Sequence, residues 1–222
     1  MRCNVLCAIL SCSAVVGTAQ GAVFIESSSR YIQASTGFAT ITASSNTVGL
    51  FNEIRSTPDD PINQPGGASA SQDSFVAPGL ITAAGAVSAY RGLFQGRGGR
   101  GISRMLVSFR VDEPTPFLFT GNWVAQPNLY HTPSAFRMRL DGTIGSGWDG
   151  LSAPFADTFT QPGTLRPGLH ELAIEVDWSA AGGSISVTGV SANYNVMLQF
   201  PAPATGILSV AVLATGLWRR RR

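Results

Sequence analysis

The feature of this sequence that most constrains its fold is a strict alternation of apolar and polar residues over short segments. In the segment HELAIEVDW, the alternating apolar positions are Leu172, Ile174, Val176 and Trp178. Successive side chains of a β-strand point to opposite faces, so a period of two predicts a half-buried strand. We expect the apolar set to face the core, and Glu171, Glu175 and Asp177 to face the water.

Three further segments alternate in the same way, and each predicts a strand with one apolar face. Their inward-facing positions are Met105, Val107, Phe109 and Val111 in RMLVSFRV, Phe136, Met138 and Leu140 in AFRMRL, and Tyr194, Val196, Leu198 and Phe200 in NYNVMLQF. Earlier in the chain, the segment FATITASSNTVGLF predicts two more strands.

Turn-forming sequences separate these strands, namely DEPTP, DGTIGSGWDG, QPGTLRPG and SAAGGS. Glycine supplies positive φ in turns, and proline fixes φ and ends strand pairing. Because the body shows no 11-residue stretch of helical period, the pattern predicts an all-β fold, an antiparallel two-sheet β-sandwich of jelly-roll-like type. Ser56–Ser74 is predicted to be a long polar loop, and Gly96–Gly101, GRGGRG, a mobile loop.

Charge is distributed unevenly along the chain. Five of the 15 basic residues, all of them arginine, lie in the two end segments, whereas all 13 acidic residues lie between those ends. Ten arginines against 13 acidic residues leave the body with a net charge of −3. Nucleic-acid binding needs a concentrated cationic face, so we expect no nucleic-acid partner.

The first 21 residues have the layout of a secretory signal peptide. Arg2 gives a positive start, Val5–Val16 is an apolar run too short for an ordinary membrane span, and small residues follow it. We predict cleavage between Ala19 and Ala22. The three cysteines of the chain all lie in this leader, at Cys3, Cys7 and Cys12. The body therefore has none, which excludes a disulfide framework.

The acidic face of HELAIEVDW is the first candidate site. Residues two apart on a strand are separated by about 6.6 Å, a spacing within the range of the paired carboxylates of inverting glycosidases. Alternation alone also places Glu171, Glu175 and Asp177 on a solvated outer face. The solvated face is the interpretation we favour.

The glycine-rich segment that ends in Trp148 is the second candidate. Asp141-Gly142 and Asp149-Gly150 carry the hard oxygen ligands that Ca²⁺ takes. However, Asp-Gly is a common turn dipeptide and the spacing matches no EF-hand loop, so we predict turns and no metal.

Tryptophan rings close to turn signals offer a flat apolar face on which a sugar can stack. On this ground Trp148, with its neighbour Asp149, is a candidate ligand contact, and Trp123 and Tyr130 are weaker candidates. A sandwich core also needs tryptophan, and Trp178 is expected to lie there.

Signatures of catalysis are sparse in this sequence. His131 and His170 are the only histidines, the body has no cysteine, and no GxSxG motif occurs. A His/Cys metal site and a cysteine nucleophile are therefore excluded, and a serine–histidine–acid arrangement has no motif to support it. We predict a non-enzymatic protein without a cofactor, with a secreted carbohydrate-active enzyme as the less favoured alternative.

The C-terminal end combines two prolines, an apolar run and an arginine block. Ala202–Trp218 has 17 residues, about 25 Å of helix, which barely spans a hydrocarbon core of about 30 Å. An arginine at the bilayer centre costs about 2.5–3.5 kcal/mol, so four in succession stop transfer and stay cytoplasmic. These are Arg219, Arg220, Arg221 and Arg222. We predict a short hydrophobic helix that halts in the membrane.

This tail, Pro201–Arg222, resembles the C-terminal sorting signal of the PEP-CTERM family. The family's Pro-Glu-Pro motif reads Pro201-Ala202-Pro203 here, a form similar to variants in planctomycete-type proteins. The resemblance implies recognition by an exosortase, a membrane cysteine protease-transferase that cuts near the motif and releases or transfers the ectodomain toward the cell surface. The last strands of the body also resemble the closing hairpins of ectodomains with such tails, which implies no activity.

The sequence thus predicts a signal peptide at 1–21, a β-sandwich ectodomain at 22–200 and a sorting tail at 201–222. We expect an exported protein of the cell envelope, cell surface or extracellular matrix with a structural or adhesive sandwich; the alternative is a carbohydrate-binding, lectin-like module. The expected partners are signal peptidase, an exosortase-like membrane protease, the membrane before processing, and an exopolysaccharide or other glycan.

Overall fold

The structure is a computed structural model that describes residues 21–57, 66–91, 98–126, 135–142, 144–148, 156–180 and 188–201. Residues 1–20 of the predicted leader and the predicted hydrophobic helix of the tail lie outside these residues. Gly21–Ala202 forms one compact unit. Among the described residues there is no helix with the length and hydropathy that a membrane crossing requires.

Within the described residues there are twelve strands. They are β1 (Val23–Ser35), β2 (Thr40–Ser45), β3 (Gly49–Ser56), β4 (Gly66–Ala77), β5 (Leu80–Arg91), β6 (Arg100–Val111), β7 (Thr115–Gln126), β8 (Ala135–Leu140), β9 (Ile144–Trp148), β10 (Ala156–Leu165), β11 (Gly168–Ser179) and β12 (Thr188–Gln199). The predicted all-β class is confirmed, as are the two strands, β2 and β3, expected from FATITASSNTVGLF.

The strands form two antiparallel sheets, which confirms the predicted two-sheet sandwich. Sheet A has the strand order β2-β1-β6-β11-β8-β9, and sheet B the order β10-β7-β12-β5-β4-β3. Neighbours such as β6 and β11 are far apart in sequence, because the chain crosses repeatedly from one sheet to the other. Residues from distant segments therefore lie side by side on each face.

The core lies between the sheets and is built from the faces that alternation predicts. Every inward-facing position named above on β6, β8, β11 and β12 is buried, including Trp178. Phe109 of sheet A packs edge-on against Phe200, with 5.4 Å between the ring centroids. Removing these side chains from water is the main stabilisation of such a fold.

The two sheets approach one another closely where β6 begins. A Cβ atom added at Gly101 would lie 2.7 Å from the backbone oxygen of Ser69 and 3.0 Å from that of Ser88, both in sheet B. Non-bonded atoms do not come this close, so only glycine allows the spacing seen here. Close by, a Cβ atom added at Gly99 would lie 2.0 Å from the carbonyl oxygen of Gly67. Strand β4 begins with glycine, alanine and serine residues, whose small side chains allow this close contact.

Several predicted turns and loops are strands, which corrects the sequence interpretation. Ser56–Ser74 is not a loop throughout, since β4 begins at Gly66 and pairs with β3 and β5. In the predicted mobile loop GRGGRG, Arg100 and Gly101 already belong to β6. Small residues give strands no apolar alternation, and here close packing of the sheets stabilises them instead.

The predicted turn segment QPGTLRPG lies mostly in β10, which is paired with β7. Pro162 is tolerated because β10 is an edge strand, where a missing N–H need not weaken the sheet. Gly163 leaves room for the ring of Phe117, whose Cε1 atom would lie 2.6 Å from an added Cβ. The glycine-rich segment that ends in Trp148 is also predicted to form turns, but Ile144–Trp148 is strand β9. Asp141 and Gly142, just before it, do form the predicted turn, with φ of +51° and +70°.

Candidate functional site on the outer face of sheet A

The structure describes only part of the sequence-predicted sites. Pro201 follows β12 and is exposed, but Ala202, Pro203 and the four terminal arginines lie outside the described residues. Trp148 ends β9 with its backbone paired to Phe136, and its side chain is not described; Asp149 lies outside the described residues. The sorting, stop-transfer and Trp148 assignments therefore stay predictions.

Trp123, the weaker candidate contact, belongs to the core, and that prediction is wrong. Its side chain is 1% exposed, packs on Phe136 with 4.5 Å between ring centroids, and donates a hydrogen bond of 3.0 Å from Nε1 to Ser146 Oγ. Buried tryptophan commonly satisfies its N–H in this way. Tyr130 and His131 lie outside the described residues.

The acidic residues of β11 point to the outer face of sheet A, as predicted, but Asp177 does not face water. Its side chain is only 4% exposed because Arg100 covers it. Arg100 Nε donates a hydrogen bond of 2.8 Å to Oδ1, and Nη2 of the same guanidinium donates to Oδ2. Such a two-point pair is the strong form of an ion pair, and it explains why a carboxylate is buried on an outer face.

Glu175 lies beside this pair and shares an arginine with it. Arg104 Nη2 is 3.0 Å from Glu175 Oε1 and 3.4 Å from Asp177 Oδ2, and Arg137 Nη1 is 4.0 Å from Glu175 Oε2. The hydrogen bond to Asp177 is the main cause that raises the pKa of Arg100, against an opposing effect of burial. Both carboxylates are paired with arginine guanidinium groups, so they do not form a free acid–base pair.

Strand β1 brings an aromatic ring to the same face. Tyr31 lies opposite Arg104 in the register, and its hydroxyl donates a hydrogen bond of 2.5 Å to Gln33 Oε1. Gln33 Nε2 in turn donates to Ser35 Oγ at 3.1 Å, and Ser35 Oγ donates to the Arg100 carbonyl oxygen at 3.3 Å. This chain of hydrogen bonds along β1 fixes the side chains that border the paired charges.

Together these side chains form an open groove across β1, β6 and β11, with a volume of about 710 Å³. Its lining includes Tyr31, Gln33, Arg100, Arg104, Leu106 and Glu175. The volume lies within the range of about 300–1,000 Å³ that is typical of small-molecule sites. An aromatic ring, a polar amide and fixed donors and acceptors are groups that can bind a small polar ligand.

The groove could not be predicted from the sequence, because β1 does not alternate cleanly between apolar and polar residues. Arg30 points inward and is buried, where Nη1 donates a hydrogen bond of 2.7 Å to the Gly49 carbonyl oxygen and Nη2 donates to the Thr47 carbonyl oxygen. Its guanidinium also lies 5.4 Å from the Phe51 ring centroid. Burial lowers the pKa of Arg30. Because the inward position 30 is occupied by arginine, β1 lacks the apolar–polar alternation that would have predicted Tyr31 and Gln33 to lie on the outer face of a strand.

His170 connects two turns at one end of the sandwich. Its Nδ1 is 2.8 Å from Asp141 Oδ2, and its Nε2 is 2.8 Å from the carbonyl oxygen of Arg166. The ring also packs on Phe109, with 5.7 Å between the centroids. In the part of the chain that the structure describes, no serine or threonine hydroxyl is hydrogen-bonded to this histidine. The arrangement ties Asp141 and Arg166 together.

Elsewhere, the described residues offer less for ligand binding than this groove does. A smaller depression of about 280 Å³ on the outer face of sheet B is lined by uncharged residues, among them Thr120, Asn122 and Asn195. Across the described ranges, no cluster of three or more histidine, cysteine, aspartate or glutamate residues has the arrangement of a metal site. The groove on sheet A is larger and carries more varied chemistry.

Comparison of the chain with protein-family models, with curated proteins and with solved structures gave no match. The functional proposals therefore depend on the residues of this chain and on the geometry of its groove.

Proposed function

We propose that this chain is an exported protein of the cell surface or extracellular matrix, and that its sandwich has a structural or adhesive role. The observation that carries the proposal is the layout of the C-terminal end. A proline motif, an apolar run and four arginines follow one another from Pro201 to Arg222. β12 ends at Gln199 and Pro201 is exposed, so the start of the motif is accessible next to the folded unit.

The leader supports the same proposal from the other end of the chain. A positive start, an apolar run and small residues precede the first strand, which begins at Val23. The sandwich between the ends has no cysteine, so its folding does not depend on the redox state of the compartment. The proposed partners are a signal peptidase and an exosortase-like membrane protease, with the membrane as a temporary partner of the tail.

The role proposed for the sandwich is non-catalytic. Paired carboxylates of a glycosidase need one acid and one base that face a substrate. In this sandwich Asp177 is covered by Arg100, and Glu175 is paired with Arg104. These pairings favour the adhesive or structural role over the carbohydrate-active enzyme.

The proposal is tested by replacing Arg219–Arg222 with serine, with replacement by lysine as the matched control. Without the positive block nothing halts transfer, so the serine variant should lose its membrane-bound precursor in cell fractionation, whereas the lysine variant should behave like the wild type. Mass spectrometry of the mature wild-type protein should find a C-terminus close to Pro201. An unchanged distribution of the serine variant, or mature protein that retains Arg222, would contradict the proposal.

A further inference from the structure

We propose that the groove on the outer face of sheet A binds a neutral oligosaccharide, with Tyr31 as the stacking ring and Arg104 and Glu175 as the groups that bind sugar hydroxyls. This site differs from the candidate contacts Trp148 and Asp149, because β6, β11 and β8 separate β1 from β9 in the sheet. The binding does not depend on export, so it stands or fails independently of the function proposed above.

Tyr31 is suited to stacking because its position is fixed before a ligand arrives. The ring is partly buried and lines the groove, and its hydroxyl is held by Gln33, which is itself held by Ser35. A side chain that is already ordered loses little conformational freedom on binding. The flat apolar face of an aromatic ring fits the C–H face of a pyranose.

Arg104 and Glu175 provide a donor and an acceptor next to one another. An arginine side chain has five N–H donors, and the hydrogen bonds and ion pairs among the described residues use only Nη2 of Arg104. Glu175 is 31% exposed, so lone pairs of its carboxylate remain accessible. A sugar hydroxyl both donates and accepts, and neighbouring hydroxyls can therefore bind both residues at once.

The charge of the groove favours a neutral sugar over an acidic one. Arg100 and Arg104 are balanced by Asp177 and Glu175, and each arginine is already paired with a carboxylate. An acidic sugar would meet the carboxylate of Glu175 in the groove, and it would have to compete with Glu175 and Asp177 for the guanidinium groups. Like charges close together cost free energy, whereas hydroxyl groups add hydrogen bonds without separating the existing pairs.

The length of the groove accommodates more than one sugar ring. It follows β1 at least from Ser29 to Gln33, which at about 3.3 Å per residue is about 13 Å. Leu106 and Ala173 lie beside one another on the same face as Tyr31 and form an apolar part of the surface. The proposed ligand is therefore a segment of a chain and not a single monosaccharide.

Isothermal titration of the full chain with four neutral probes and one acidic probe tests the proposal. The neutral probes are cellohexaose, β-1,4-mannohexaose, maltohexaose and isomaltohexaose, and the acidic probe is hexagalacturonate. We expect at least one neutral probe to bind and hexagalacturonate to bind at least tenfold more weakly. Tyr31→Ala should weaken the binding of that neutral probe at least tenfold, and Glu175→Gln should weaken it several-fold.

Two controls separate a binding role from a role in folding. Tyr31→Phe keeps the stacking ring but loses the hydrogen bond to Gln33 that orders it, so it should weaken binding by no more than about threefold, much less than Tyr31→Ala does. Thr120→Ala changes the outer face of sheet B and should leave affinity unchanged. Thermal unfolding of each variant checks that the fold is intact.

Each contrary result overturns the proposal in a recognisable way. If none of the neutral probes binds, or if only hexagalacturonate binds, the groove does not bind a neutral oligosaccharide and the proposal is wrong. If Tyr31→Ala binds as the wild type does, the location is wrong. A chain that binds a neutral probe but is not processed at its tail would contradict the export proposal alone.

Discussion

The hydroxyl groups of Ser103 and Tyr194 lie 2.7 Å apart and form a hydrogen bond between the two sheets. Ser103 belongs to β6 of sheet A and Tyr194 to β12 of sheet B, and both side chains are buried. Burial raises the pKa of the Tyr194 hydroxyl, and the hydrogen bond with Ser103 opposes that shift to a smaller extent. The folded protein therefore holds this proton at a pH where an unfolded chain releases it.

This raised pKa predicts a loss of stability in alkali. Below about pH 10 both states keep the proton, and the contribution of Tyr194 is complete. Above it the unfolded state binds fewer protons, so the free energy of unfolding falls by up to about 1.4 kcal/mol per pH unit for this group. Urea unfolding at pH 9 and pH 11 should show this fall in the wild type and a smaller one in Tyr194→Phe.

The same variant should be less stable at neutral pH, by about 1–3 kcal/mol, because it leaves the buried Ser103 hydroxyl without its partner. Tyr31→Phe is the control: it removes a tyrosine hydroxyl but leaves Tyr194 and Ser103 in place, so it should still show the fall in stability between pH 9 and pH 11. If Tyr194→Phe and the wild type lose stability equally between pH 9 and pH 11, the loss in alkali does not come from Tyr194.

The close approach of the sheets at Gly101 predicts that alanine is not tolerated there. An added methyl group would press on two backbone oxygens of sheet B, which cannot move away as a flexible side chain can. Overpacking of this kind costs about 1–3 kcal/mol. Gly189→Ala is the matched control, because its nearest neighbour would be Tyr90 Cβ at 3.9 Å. Chemical denaturation that ranks the two variants equally would contradict this view of the packing.

Replacing an apolar residue by aspartate should have a large effect on stability on the inner face of β11 and a small effect on its outer face. Ile174 is buried between the sheets, so Ile174→Asp places a charge where no partner is available and should prevent folding. Leu169 on the same strand is 68% exposed, so Leu169→Asp should change stability by no more than about 0.5 kcal/mol. Circular dichroism and urea unfolding distinguish these outcomes, and a folded Ile174→Asp protein would show the strand face to be misassigned.

The ion pair of Arg100 and Asp177 predicts an asymmetric response to removing either partner. Arg100→Met leaves the buried carboxylate with Arg104 alone, at 3.4 Å, and should cost about 1–3 kcal/mol. Asp177→Asn should cost less, because the freed guanidinium is 47% exposed and water can solvate it. The double variant should recover part of the loss caused by Arg100→Met. Urea unfolding that gives equal losses for the two single variants would argue against this asymmetry.

The alternation of apolar and polar residues predicted those strands in which apolar side chains alone determine which face is buried in the core. The inward residues of β6, β8, β11 and β12 could be read from the sequence for this reason. Strands β4, β9 and β10 could not, because glycine, serine, threonine and proline carry weak strand signals. These strands are stabilised by their contacts with other strands; β4, for example, packs closely against Gly101 of β6.

The candidate groove was beyond sequence reasoning for a different reason. Tyr31, Arg104 and Glu175 meet only through the pairing of β1 with β6 and of β6 with β11. The burial of Asp177 likewise depends on Arg100, which lies 77 positions away in the chain. Residue types indicate what a side chain can do, but the strand order determines which side chains meet.

The position of β12 has a mechanical consequence. This strand is hydrogen-bonded on both sides, to β5 and to β7, along most of its length, and Pro201 lies two residues after its end at Gln199. A pulling force applied at Pro201 acts along the strand and loads its backbone hydrogen bonds in shear, all at once. An edge strand such as β3 or β10 is hydrogen-bonded on one side only, so the same force along it would load one row of hydrogen bonds instead of two. A sandwich held through this end would therefore resist tension well, a property that single-molecule stretching from Pro201 can measure.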